Sequence, residues 1–151
     1  MTAPFDVAAA VVDPELPMVT IAELGILRDV VERDGSIEVT ITPTYSACPA
    51  MTAIAADLAA ALADYGNVTV RTRLSPPWSS DWITPDGRAK LAAAGIAPPV
   101  AVGPIDVAIA ARCPRCGSLR VRRTAAFGST QCKALFRCES CDEPFEQVKT
   151  V

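Results

Sequence analysis

Cys113-Pro114-Arg115-Cys116-Gly117 and Cys138-Glu139-Ser140-Cys141-Asp142 decide how the end of this 151-residue chain folds. A Cys-x-x-Cys turn brings two sulfurs to one side of a tight loop. Two such turns supply four soft ligands in a tetrahedron, the donor set of structural zinc sites, with metal–sulfur distances near ~2.3 Å. The turns are 21 residues apart. That is slightly beyond the usual gap of about 15–20 and leaves room for a hairpin from about Leu119 to Phe136. Gly117 suits the turn exit, where a side chain would clash. The chain has no histidine, so a mixed Cys/His site is excluded. Four thiolates also hold rubredoxin-type iron or an iron–sulfur cluster, so zinc is the expectation and iron its alternative. The tail has few large apolar residues. Metal binding would supply most of its folding energy, about 10–16 kcal/mol in comparable peptides.

Charge and composition divide the chain in the same place. Residues 1–110 carry 6 Lys+Arg against 13 Asp+Glu, whereas residues 111–151 carry 8 against 4. Four thiolates around a divalent ion would reduce the tail's positive excess, which leaves a weak case for nucleic-acid binding. Half of the residues are apolar, enough for a core in the first hundred residues. No stretch reaches the roughly 20 apolar residues of a membrane helix, and Met1–Pro17 lacks the basic start of a signal peptide. The expected compartment is the cytoplasm, where six cysteines read as metal ligands or reactive thiols before disulfides.

Upstream, the pattern predicts a small α/β domain. Phe5–Val12 reads as a short helix ended by Pro14, and Asp13-Pro14-Glu15-Leu16-Pro17 as irregular chain. Ile26–Glu32 and Ile37–Thr42 read as strands joined through Asp34-Gly35, a strong hairpin signal. In the second, Ile37, Val39 and Ile41 alternate with Glu38, Thr40 and Thr42, giving one buried and one wet face. Pro49 to about Tyr65 predicts a helix with Met51, Ile54, Leu58, Leu62 and Tyr65 on one stripe, stopped by Gly66. Asn67–Leu74 reads as a third strand, and Thr84–Ala94 as a short helix with Pro85 in its first turn. Ile96–Pro104, with three prolines and a glycine, reads as a linker. The expected fold class is thus α+β: a small domain over 1–98 with a three-stranded sheet and two to three helices, a linker and lead-in strand over 99–111, and a four-cysteine zinc ribbon over 112–151.

Two cysteines lie outside the paired turns. Cys48 precedes Pro49 and is expected at the helix N-cap, where the positive helix end and orphan amides favour the thiolate; a cap without chemistry is the other reading. Cys132, in Phe127-Gly-Ser-Thr-Gln-Cys132-Lys-Ala, is either a buried thiol of the hairpin or a partner of Cys48 in a second, labile metal site. Asp13 and Glu15 are paired acids or, more commonly, a turn and cap. Trp78 and Trp82 are expected as lids over the sheet. Arg120, Arg122 and Arg123 form a solvated face or a docking patch for an acidic partner. No Ser/His/Asp set, phosphate loop or histidine base is present, so independent catalysis is not expected.

Asp13-Pro14-Glu15-Leu16-Pro17, Ile21-Ala-Glu-Leu24-Gly25-Ile26 and Thr42-Pro43-Thr44 through Cys48-Pro49 together resemble the metal–sulfur cluster assembly family, from about Val7 to Pro98. Cys113-Pro-Arg-Cys116-Gly-Ser, Phe127-Gly-Ser-Thr-Gln-Cys132-Lys-Ala-Leu-Phe-Arg-Cys138 and Cys141-Asp-Glu-Pro-Phe145 resemble the family of phenylacetate-degradation accessory proteins. That family's pattern often has a further cysteine soon after Pro-Phe, where this chain has Val148-Lys-Thr-Val151. The resemblance implies an accessory protein of a multicomponent phenylacetyl-CoA epoxidase that assembles, delivers or repairs iron–sulfur or di-iron centres. It implies Cys48, with Cys132, as transient holders of iron or a cluster, and Asp13, Glu15 and Thr44 as support for the Cys48 loop. The implied partners are epoxidase subunits or their iron–sulfur reductase, and an exposed hairpin edge offers a homodimer contact. A purely structural ribbon subunit is the alternative, with nucleic-acid binding third.

Overall fold

The structure is a computed structural model that describes residues 1–100 and 111–151. The chain divides into two compact units, Met1–Thr84 and Pro85–Val151.

The first unit is built on the Asp-Gly hairpin. Strands β1 (Leu27–Arg33) and β2 (Ser36–Ile41) pair antiparallel, Val30 opposite Val39 and Glu32 opposite Ile37. Asp34 and Gly35 both take positive φ, 48° and 76°, as a two-residue hairpin turn matched to strand twist requires. Strand β3 (Asn67–Thr72) then pairs with β2 in parallel, giving the order β1-β2-β3. Parallel neighbours need a crossover, and helix α2 (Ala50–Ala61) with the 3-10 turn Ala63–Tyr65 supplies it. Ile37, Val39 and Ile41 of β2 and Ile54, Leu58 and Leu62 of the α2 stripe are fully buried core residues, while Met51 and Tyr65 are half-buried. Each buried aliphatic side chain contributes about 1.5–3 kcal/mol relative to exposure.

Several expectations change here. Helix α1 is only Pro4–Ala9, because Val12 leaves the helix to bridge Thr20. Helix α2 starts at Ala50 with Pro49 as its N-cap, so Cys48 lies one residue outside the cap position. The expected wet face of β2 is dry at its end: Thr40 and Thr42 are buried. The Thr42 amide bonds to the Ile26 carbonyl at 2.8 Å. Trp78 is a buried lid, its indole N–H donating to the Leu24 carbonyl at 2.8 Å. Trp82 lies so close to Gly25 (φ 73°) that a Cβ there would come within 2.6 Å of the Trp82 Cβ. The Arg28 guanidinium stacks on the Trp82 ring at 3.8 Å.

The second unit contains α3 (Pro85–Ala93), β4 (Ile96–Ala97), β5 (Val121–Ala125), β6 (Lys133–Cys138) and β7 (Pro144–Val148). The four strands form one sheet in the order β4-β7-β6-β5. Strands β5, β6 and β7 are antiparallel, and β4 joins β7 in parallel through Ile96 opposite Glu146 and Ala97 opposite Gln147. Ala97, Ala111, Ala134, Phe136 and Phe145 form its core with Cys113 and Cys138. The rings of Phe136 and Phe145 stack at 5.8 Å.

The two compact units thus meet at Thr84/Pro85, ahead of the expected linker. Ile96 and Ala97, expected to open the linker, make strand hydrogen bonds with β7 instead, and α3 travels with them. The remaining expected linker and lead-in strand fall largely on 101–110, outside the described residues. Among the described residues, no helix is long and apolar enough to cross a membrane.

Candidate metal centre

The two cysteine turns fold by the same hydrogen-bond scheme. In the first, the Cys113 amide donates to the Ser118 carbonyl and the Gly117 amide to the Cys113 carbonyl, both at 2.9 Å. In the second, the Cys138 amide donates to the Glu143 carbonyl at 2.9 Å and the Asp142 amide to the Cys138 carbonyl at 3.0 Å. Each scheme forces the residue after the second cysteine into left-handed backbone: Gly117 at φ 74° and Asp142 at φ 66°. Glycine adopts that conformation freely, and Asp is among the few other residues that visit it. Arg137 holds Asp142 through paired contacts of 2.8 and 2.6 Å. Two further contacts tie one turn to the other: the Ser118 and Ser140 hydroxyls at 2.8 Å, and Arg115 Nη1 to Glu143 at 2.8 Å.

This architecture gathers the sulfurs of Cys113, Cys116, Cys138 and Cys141 within 4.8 Å of one another. None of the four is in a disulfide. Cys113 Sγ lies 3.7 Å from Cys141 Sγ, and Cys116 Sγ lies 3.6 Å from Cys138 Sγ. A tetrahedron with metal–sulfur bonds of about 2.3 Å has edges of about 3.8 Å, so the four sulfurs fit one ion of that size. Cys113 and Cys138 are buried, Cys141 half-buried and Cys116 exposed, which places the centre at the rim of the core.

Electrostatics favour a cation here. The Cys141 and Ser140 amides, opposed by burial, pull the Cys138 thiol down to about 6. The Glu143 amide pulls Cys141 down, but burial and the neighbouring thiols outweigh it and push Cys141 up to about 12. At Cys116 the Ser118 amide lowers the pKa, yet desolvation and the Cys138 thiol raise it overall. One thiolate thus forms readily and opposes the next. A divalent ion bound here would remove that opposition, with Cys113, Cys116, Cys138 and Cys141 as the residues that would hold it.

The other sequence candidates sit elsewhere. Cys48 belongs to the first unit and Cys132 to the second. Cys48 is half-buried; its amide donates to the Tyr45 carbonyl at 3.1 Å, closing the turn that follows Thr44. Cys132 is half-buried just before β6, with its sulfur 3.0 Å from the Thr130 hydroxyl, and is not one of the four gathered sulfurs. Asp13 is buried, and its Oδ1 accepts the amides of Glu15 and Leu16 at 2.8 Å each, the turn-capping role open to it. Half-buried Thr44 opens the bend before Cys48.

Sequence reasoning missed a polar clamp. Lys133, 4% exposed, reaches Glu146 at 3.4 Å, and the Glu146 carboxylate also accepts the Ser129 amide and hydroxyl, each as close as 2.9 Å. Nothing in the local pattern distinguishes Lys133 from an exposed lysine; its burial follows from the loop folded over it.

Two family models match separate parts of the chain. Residues 7–72 match the family model described as an iron-sulfur cluster assembly protein, and residues 97–149 match the PaaD zinc beta ribbon domain. A solved domain of unknown function (DUF59) from Bacillus anthracis is 28% identical, covering 58% of this chain and 87% of its own, with a TM-score of 0.54. A conserved hypothetical protein from Thermotoga maritima is 27% identical over 58% of this chain and 89% of its own, with a TM-score of 0.49. An Escherichia coli (strain K12) protein that is named as one of the subunits of 1,2-phenylacetyl-CoA epoxidase is 40% identical over 146 residues, 92% of this chain and 86% of its own. With a cluster-assembly unit, a four-cysteine ribbon and this likeness along nearly its whole length, the chain belongs to the PaaD family.

Proposed function

We propose that the chain is an accessory, non-catalytic component of a phenylacetyl-CoA epoxidase system that helps assemble, deliver or repair the iron–sulfur or di-iron centres of the oxygenase or its reductase. The observation that carries this reading is the pairing, in one chain, of a cluster-assembly unit bearing a half-buried cysteine beside a helix start with a separate four-sulfur ribbon. The ribbon keeps a resident metal for structure, zinc by its closed all-sulfur donor set. Iron or a cluster is cargo, taken by Cys48, with Cys132 as a second holder, and released by ligand exchange to the target. Asp13 shapes the Glu15 turn, and Thr44 leads into the Cys48 turn; these are the supports proposed for the transfer loop. The protein works in the cytoplasm with epoxidase subunits or the reductase as partners.

The test is anaerobic purification of wild type, Cys48→Ser and Cys132→Ser, followed by metal analysis of each and of the epoxidase and reductase they support. Cys48→Ser is expected to keep its fold and ribbon metal while lowering the iron content of the target. Full loading of the target by Cys48→Ser would contradict the transfer role. A purely structural role has its own support, because the E. coli relative is named as an epoxidase subunit. In that case Cys48→Ser is harmless, while loss of a ribbon cysteine stops co-purification.

A further inference from the structure

Strand β6 turns Ala134, Phe136 and Cys138 into the core of the second unit and leaves Leu135 and Arg137 exposed. Register fixes what stands beside them. Arg122 of β5 and Pro144 of β7 lie opposite Arg137, and Glu146 lies opposite Leu135, with Ile96 of β4 next to Glu146. Leu135 is 37% exposed, and with Ile96, Pro144, Glu146, Ala94 and Gly95 it lines an open groove on this face. The groove mixes the apolar side chains of Leu135, Ile96 and Pro144 with the polar Glu146.

The charges around the groove are unequal. Glu146 is matched by Lys133, and Arg137 is matched by Asp142. Arg122 has no acidic partner among the described residues, although it faces a second arginine across the ladder. Like charges placed opposite each other destabilise a sheet, so the fold alone gives no reason for Arg122. Arg120 and Arg123 lie on either side of it in the chain, also exposed and without an ion pair among the described residues. Strand β5 is moreover one of the sheet's two outer strands.

We infer that this face of the ribbon sheet docks an acidic polypeptide segment of a partner protein. Its apolar side chains lie over Leu135, Ile96 and Pro144, and its carboxylates meet Arg122 and the outer edge of β5. Charge complementarity selects this occupant. A second copy set symmetrically on the same face would offer Arg122 only Glu146 and Asp142, carboxylates already paired with Lys133 and Arg137. A nucleic acid would need a continuous positive track, but Arg122 and Arg123 are successive strand residues directed to opposite faces, and Arg137 is already neutralised. The inference goes beyond the transfer reading, since it involves neither Cys48 nor Cys132 and stands or falls separately.

The experiment uses the full, metal-loaded chain and fluorescence anisotropy of a labelled synthetic peptide composed of Asp, Glu, Leu and Phe. Parallel probes are the same peptide with Lys replacing Asp and Glu, and a single-stranded DNA oligonucleotide. Arg122→Glu puts a carboxylate opposite Arg137, which does not threaten the ladder, and metal content checks the fold of every variant. Wild type is expected to bind the acidic peptide, more weakly as salt rises. Arg122→Glu should weaken it by about tenfold and Arg122→Lys should restore most of it, as for a charge contact. Leu135→Ser should weaken it by about fivefold, as for a lost apolar contact. Failure of wild type to bind below about 1 mM overturns the inference. So does binding unchanged in Arg122→Glu and Leu135→Ser, or equal binding of the Lys peptide. DNA binding tighter than peptide binding and lost in Arg122→Glu would assign the face to nucleic acid. Self-association abolished by Arg122→Glu would assign it to a second copy.

Discussion

Asp142 and Gly117 occupy equivalent places in the two cysteine turns, yet only the glycine announces its backbone. A positive φ at Asp142 is hidden in the sequence because aspartate serves many loop roles; the matching hydrogen-bond scheme around Cys138 reveals it. Glycines elsewhere separate conformational strain from collision. Gly35 (φ 76°) has nothing within 4 Å of a Cβ built on it, so Gly35→Ala costs only the left-handed penalty, about 1–2 kcal/mol. At Gly66 (φ 121°) the added Cβ runs into the Gly35 carbonyl oxygen, a backbone atom that cannot step aside. Gly66→Ala should therefore cost more than about 3 kcal/mol or fail to fold. Thermal denaturation of the two variants checks this, and equal losses would show that the close approach of the two turns is not maintained.

Elements were legible where periodicity and turn chemistry agreed. The Asp34-Gly35 hairpin, the α2 stripe and the third strand follow from alternation and spacing: β2 and α2 each bury one face, and Val68 and Val70 of β3 are half-buried. Strand β4 was unreadable because two residues amid prolines carry no period, and its pairing with β7 depends on chain about fifty residues away. Burial of Thr40 and Thr42 was unreadable for a related reason: alternation reports polarity, and a satisfied threonine can be buried. The loop between β5 and β6 depends on Glu146, which clamps Ser129 and Lys133. Burial pushes the Glu146 carboxyl up, but the Ser129 amide and hydroxyl and the Lys133 ammonium outweigh it, and its pKa lies below the ordinary 4.5. The folded form therefore binds this proton less readily than the unfolded chain does. Its stabilisation is present above about pH 4.5 and disappears as pH falls through the lowered folded value. Glu146→Gln should cost about 1–3 kcal/mol near neutrality and remove that acid-dependent component. Chemical denaturation of wild type and variant across pH 3–7 measures both; a variant of unchanged stability would mean that the clamp contributes nothing net.

At the scale of the whole molecule, the two units have different sources of stability. The first relies on aliphatic residues such as Ile37, Val39, Ile54 and Leu58, whereas the second has a small core in which Cys113 and Cys138 are themselves members. Removing the metal should thus unfold the second unit and leave the first intact. Hydrogen exchange after chelation is expected to show protection lost over 121–148 and retained over 27–72. Uniform retention would mean that the ribbon holds without metal, and uniform loss that the units unfold together. The presence of two modules was legible in the charge asymmetry and the cysteine turns. Their boundary was not, because α3 resembles a continuation of the preceding fold until β4 is seen to join the ribbon sheet.

The most direct measurement is metal-edge X-ray absorption, with elemental analysis, on the anaerobically purified full chain. The expected result is about one metal ion per chain with four sulfur neighbours at about 2.3 Å, retained in Cys48→Ser and lost in Cys138→Ser. Fewer than four sulfur neighbours, or the same metal content after Cys138→Ser, would contradict a single centre built from Cys113, Cys116, Cys138 and Cys141.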